Sequence, residues 1–237
     1  MDDAYPVAFG WNFSVTHVLT AAFFAKRAGD LETQFRNTEY DDSIMDQHLA
    51  FVTGSIVASV FFLEAGINET FSDCAGEFII TPTIFVEQLT QKTRELMGEL
   101  WRSPGFGRSS ILEKYETALK LASKKQFSKD DSLRQDVQII ISLRNYLAHY
   151  KPERILSTFY GFEGDDRAGL GKQLAKKKFE LNPFISDDYP PFFPHKCLGY
   201  GLAKWCVSGS VRFADEFHKR MGIPPRYENV RNEVLAV

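Results

Sequence analysis

Near the middle of the chain one stretch gathers side chains able to do chemistry: Ser142-Leu143-Arg144-Asn145-Tyr146-Leu147-Ala148-His149-Tyr150-Lys151-Pro152. Histidine has an ordinary pKa near 6.5 and can serve as acid or base at neutral pH. Arginine is permanently charged, and its planar fork fits phosphate oxygens. Arg144, Asn145 and His149 therefore suit proton transfer at a phosphate. Their spacing limits what one helix can do. Asn145 and His149, four apart, share a helical face. Arg144 and His149, five apart, stand about 140° apart around the axis at 3.6 residues per turn, and do not converge within one helix unless the long guanidinium arm wraps around. A second copy of the chain removes the difficulty by bringing two such helices to one cleft.

The helix that carries these residues is predicted to start at a capping box, Ser132 with Gln135, and to end near Tyr150, because Pro152 disfavours helical geometry at Lys151. Its apolar stripe runs Leu133, Val137, Ile140 and Leu147, and Arg144 takes the place that completes the series. An arginine in a core stripe must be paired or reach a cavity, since an isolated buried charge is very costly. A second line, Gln138, Ser142, Asn145 and His149, is polar yet uncharged, as expected of a cleft wall or an interface.

Other helices must hold this one. The spacing predicts a first helix from Val15, fading after Leu31. A long one, capped by Asp41 and Asp42, carries Ile44, Leu49, Val52, Ile56, Val60, Leu63 and Ile67. A third is expected over about Thr83 to Trp101. A fourth begins at the capping box of Ser110 and Glu113, and the last spans about Gly199 to Met221. Residues 157–195, rich in Gly, Pro and aromatic residues, read as an irregular excursion with one short helix around Leu170 to Phe179. Residues 1–40 form an N-terminal helical extension. No strand-rich region or repeat is evident, so 1–237 is expected to be a single all-α domain of about six to seven helices.

Here the residues resemble a known family. Arg144-Asn145-Tyr146-Leu147-Ala148-His149 is similar to the R-x4-6-H signature of HEPN domains, in which Asn, Asp or His typically follows the Arg. Further stretches resemble bacterial proteins of this group: Phe62-Leu63-Glu64-Ala65-Gly66-Ile67-Asn68-Glu69, Leu112-Glu113-Lys114-Tyr115, and Phe192-Phe193-Pro194 followed by the Trp205 helix. The resemblance touches most of the chain from about residue 50 onward. It implies a HEPN-type helical bundle that forms a homodimer with two motifs facing each other. Many such domains are metal-independent endoribonucleases, some of them toxins or defence effectors; others are silent modules that bind nucleotide, RNA or protein. By that resemblance Arg144 holds the scissile phosphate, His149 transfers protons, and Asn145 orients His149 or the phosphate. Cleaving RNA without metal needs a base for the 2′-OH, an acid for the leaving oxygen and a cation for the phosphorane, and these residue types can supply all three.

Glu64 and Asn68, four apart, could face Arg144 and support it, as could Ser142. A packing-only Glu64–Arg144 pair is an equal alternative. Lys151, Lys176, Lys177 and Lys178 are candidate RNA contacts, although a charge run is usually a solvated face. The implied partners are RNA, a second copy and an antitoxin or regulatory protein, with no cofactor or metal. His195, Cys197, Cys206 and His218 match no familiar zinc spacing, and Cys206 falls on an apolar helix face. Gly105-Phe106-Gly107 lacks the lysine of a phosphate loop. Trp11, Phe13, Phe23 and Phe24 are expected to pack or to line a partner surface.

Composition sets outer bounds. The chain is 44% hydrophobic and 25% charged, which excludes a wholly disordered chain, and its net charge of −3 argues against a broadly basic nucleic-acid coat. Three scattered cysteines make no disulfide framework, and the acidic start Met1-Asp2-Asp3 is unlike a secretory signal. The run Phe51 to Leu63 is shorter than the roughly 20 residues that a membrane span needs. The expected address is the cytoplasm, without a membrane partner.

Overall fold

The computed structural model describes residues 12–36, 41–76, 83–150, 169–185 and 192–237, and the backbone of 156–158 and 161–163. It is a helical bundle. Helices α1 (Phe13–Phe35), α2 (Asp42–Ala75), α3 (Gln91–Arg102), α4 (Ile111–Leu121) and α5 (Ser132–Ala148) are followed by a short antiparallel hairpin of β1 (Leu156–Thr158) and β2 (Gly161–Glu163). Then come the one-turn α6 (Leu170–Leu174), the long α7 (Tyr200–Met221) and α8 (Arg231–Leu235). Among the described residues this makes eight α-helices, one more than expected. The extra one is α8, which at five residues is too short to show a period in the sequence.

Helix α2 is the axis of the molecule. At 34 residues it is about 50 Å long, and it packs on α1, α3, α5 and α7. Val52, Ile56, Val60, Phe62, Leu63, Ile67 and Phe71 are buried along it. By length and composition it is apolar enough to cross a membrane, and half of its most apolar stretch is buried within the bundle. Helix α1 is built into the core rather than appended to it, with Val18, Ala21, Ala22, Ala25 and Ala28 buried. Ser55 Oγ donates to the Ala21 carbonyl at 2.8 Å and ties the two helices. Gly54 lets them close: a Cβ there would fall 2.8 Å from the Phe24 ring.

The caps explain most boundaries. Asp41 accepts the Ile44 N–H at the start of α2, and Gly76 ends that helix with a φ of 65°. The capping box of Ser110 and Glu113 is formed in both directions, and it holds the Glu113 carboxyl below its usual pKa. Two boundaries differ from expectation. Helix α3 begins at Gln91, not near Thr83: the Thr90 hydroxyl accepts the Thr93 N–H, and residues 83–89 make turns that bury Val86 and Leu89. For α5 the cap is Asp131, whose carboxylate takes the Leu133 N–H, while the Gln135 side chain donates to the Lys129 carbonyl. A neighbouring carboxylate outcompetes the serine hydroxyl, so no Ser132–Gln135 box forms.

Candidate functional site: the C-terminal half of α5

Packing fixes α5 from inside. Val137, Ile140 and Leu143 are fully buried, and α7 and α2 lie against them. Continuing that stripe, Arg144 points at α2, its side chain 21% exposed and its Nη2 3.9 Å from Glu64 Oε2. This is a loose pair. The Glu64 side chain is 40% exposed, and among the described residues the buried Arg144 Nε has no hydrogen-bond partner. The guanidinium is therefore neither solvated along its length nor consumed by its carboxylate.

A second cation stands close by. Lys114 on α4 is 1% exposed, and its ammonium donates to Asn68 Oδ1 and to the Gly107 carbonyl, each at 2.9 Å. Burial lowers the Lys114 pKa, and the Glu64 carboxylate opposes that shift. Helices α2, α4 and α5 thus converge on Glu64, Asn68, Lys114 and Arg144. Lys114 was not singled out from the sequence as a chemical group, although a signal exists. It interrupts the apolar series Ile111, Tyr115, Ala118 as Arg144 interrupts its own. Below the cluster, the buried Tyr115 hydroxyl donates to the Leu63 carbonyl at 2.9 Å, its pKa raised by burial.

The rest of the motif lies elsewhere on α5. Asn145 and His149 are exposed, and Ser142 is half-buried. His149 is the residue that ends the helix, its backbone N–H bonded to the Asn145 carbonyl at 2.9 Å. Within one chain Arg144 faces α2 while His149 faces solvent, as their angular separation requires. Among the lysines, Lys177 pairs with Asp136 Oδ1 at 2.7 Å, with Lys176 and Lys178 exposed beside it. Asp136 lies thirteen residues before His149 on α5, so this basic run sits about 20 Å along the axis from the motif histidine. Lys151 and Trp11 lie outside the described residues.

An aromatic patch adjoins the cluster. Phe13 (53% exposed) and Phe61 (40% exposed) flank the His17 ring at centroid distances of 5.9 and 5.4 Å. Phe61 precedes Glu64 by one turn on the same strip of α2. The zinc candidates do not form a cluster. Cys197 and Cys206 are buried in the core with their thiol pKa values raised, that of Cys197 to about 12, and among the described residues no His, Cys, Asp and Glu group gathers as metal ligands. Comparison with family models, with curated proteins and with solved structures finds no match to this chain.

Proposed function

We propose that the protein is a HEPN-type, metal-independent endoribonuclease, possessing one composite site built from the Arg144-Asn145-x3-His149 motifs of two chains. The carrying observation is the state of Arg144. A guanidinium half-buried at the end of a core stripe, with an unpartnered Nε and a carboxylate 3.9 Å off, has donors left for a phosphate. The exposed His149 supplies proton transfer, and Asn145 one turn earlier orients it or the phosphate. Glu64 and Asn68 position Arg144 from α2, with Lys114 held by Asn68 and balancing the Glu64 charge. The angular separation of Arg144 and His149 supports two chains rather than one, and the aromatic patch beside Glu64 offers the apolar area for pairing them. RNA is then the substrate, a protein antitoxin or regulator the partner, and the role that of a toxin or defence effector in the cytoplasm.

A non-catalytic module that binds nucleotide, RNA or protein is the second reading. It is favoured by the side chain of His149, which has no orienting hydrogen bond among the described residues. One assay separates the two. Purified wild type and His149→Ala are incubated with mixed RNA in excess EDTA, and product ends are mapped. Cleavage by wild type alone, leaving 2′,3′-cyclic phosphates, is the expected result; RNA intact in both sinks the nuclease reading.

A further inference from the structure

A cavity of about 520 Å3 opens between the start of α2, the end of α5 and residues 182–185 and 194–198. That volume is in the range of small-molecule sites. Arg144, Asn145 and His149 do not line it; their neighbours Tyr146, Leu147 and Tyr150 do. It is a separate place on the same helix, and its reading does not depend on RNA cleavage.

One wall is a built polar device. His48 is 1% exposed, lines the cavity, and bonds through Nε2 to Glu32 Oε1 at 2.8 Å. Glu32, itself buried, also accepts the backbone N–H of Tyr200 at 2.6 Å, at the first turn of α7. Helix N-termini favour an anion, so the structure gives a reason for a carboxylate at this depth. Gly199 admits it: a Cβ there would fall 3.0 Å from the same oxygen. In the neutral tautomer that donates from Nε2 to Glu32, Nδ1 of His48 is an acceptor. Among the described residues, His48 has no other hydrogen bond. A buried histidine this well oriented is more than packing requires, because a leucine would fill the volume without needing a carboxylate beneath it.

Charge narrows the ligand. Among the described lining residues the one formal charge is the exposed Asp46, and none is Lys or Arg. The described lining thus offers a phosphate or carboxylate no fixed counter-charge. Met45, Leu49, Leu147 and Leu198 supply apolar wall, and Tyr146 and Tyr150, edge to face at 5.8 Å, present ring surface. Asn182 keeps the far side in shape, its amide donating to the Leu198 carbonyl at 3.0 Å and its Oδ1 accepting the Phe184 N–H. We infer that this cavity binds a neutral or cationic small molecule with a planar apolar body that donates a hydrogen bond to His48 Nδ1.

Calorimetric titration of the full chain tests this with matched probes. Tryptamine carries an indole N–H and an ammonium; indole-3-acetate keeps the ring and reverses the charge; 1-methyltryptamine loses the ring donor. Tryptamine should bind one per chain, at least tenfold more tightly than either of the others. Leu49, 43% exposed at the rim, gives a variant that need not disturb the core. Leu49→Trp should fill the cavity and weaken tryptamine at least tenfold, with the circular dichroism spectrum and melting temperature retained. No tryptamine binding up to millimolar concentration, equal binding of the acetate, or binding unchanged in Leu49→Trp would each overturn the inference.

Discussion

Arg144 and Lys114 are both cations in positions where helical spacing calls for an apolar residue, and the structure treats them differently. Lys114 is satisfied, its ammonium shared between Asn68 and the Gly107 carbonyl. Arg144 is left with a buried nitrogen unpaired and a carboxylate at arm's length. A purely structural arginine would be held as Lys114 is. The two residues should therefore respond oppositely to conservative replacement. Lys114→Met keeps the stem but orphans an amide and a carbonyl oxygen, and should cost about 1–3 kcal/mol by urea unfolding. Arg144→Gln removes an under-satisfied charge and should leave the unfolding midpoint nearly unchanged while abolishing RNA cleavage. A large stability loss for Arg144→Gln, as large as that for Lys114→Met, would mean that the guanidinium serves packing alone.

At the level of elements, the sequence was most legible where period and cap agree. Asp41 before α2 and the Ser110–Glu113 box before α4 are local devices, and each forms as the residue types dictate. The cap of α5 falls one residue before the expected Ser132, because Asp131 and Ser132 are both cap residues and only geometry chooses between them. Helix α3 starts eight residues after the expected Thr83, since Val86 and Leu89 are buried from a turn as well as from a helix. The Glu32–His48 pair was invisible for another reason: its partners lie on α1, α2 and the start of α7, 168 residues apart at the extreme. Helix α7 also carries a titration. Burial lowers the pKa of His218, whose Nδ1 bonds the Ala214 carbonyl at 2.7 Å, and burial likewise lowers those of His17 and His195. Below the unfolded value of 6.5 the unfolded chain takes up protons that the folded chain refuses, so stability should fall as pH drops through that value. For the deeply buried His218 the slope is at most about 1.4 kcal/mol per pH unit, and the more exposed His17 and His195 add less. His218→Gln keeps a donor for the Ala214 carbonyl but does not titrate. Urea unfolding between pH 7.5 and 5.5 should show a shallower loss in that variant, and an unaltered slope would discharge His218 from the effect.

For the molecule as a whole the question is what covers the outer face of the α1–α2 pair. The most apolar stretch of α2 is only half enclosed by the bundle, and Phe13 and Phe23 of α1 and Leu49 and Phe61 of α2 are exposed. Exposed aromatic side chains clustered beside Glu64 are a surface that a second chain would cover. Under the composite-site proposal the pairing surface must run from Phe13 and Phe61 toward Glu64 and the exposed strip of Asn145 and His149, because only that path brings both motifs into one cleft. Sedimentation of wild type at micromolar concentration should then give twice the 27.0 kDa chain mass. Phe61→Glu puts a charge into that surface without touching Arg144 or Glu64, and should yield a folded monomer with unchanged helicity and no cleavage. Leu49 and Phe23 lie further from Glu64 toward the other end of the pair. Phe23→Glu, the control, should remain dimeric and active if the surface is the one drawn here. A wild-type monomer, or a Phe61→Glu monomer that still cleaves, would require the Arg144 arm to wrap around α5 across the 140° that separates it from His149, and would overturn the composite site.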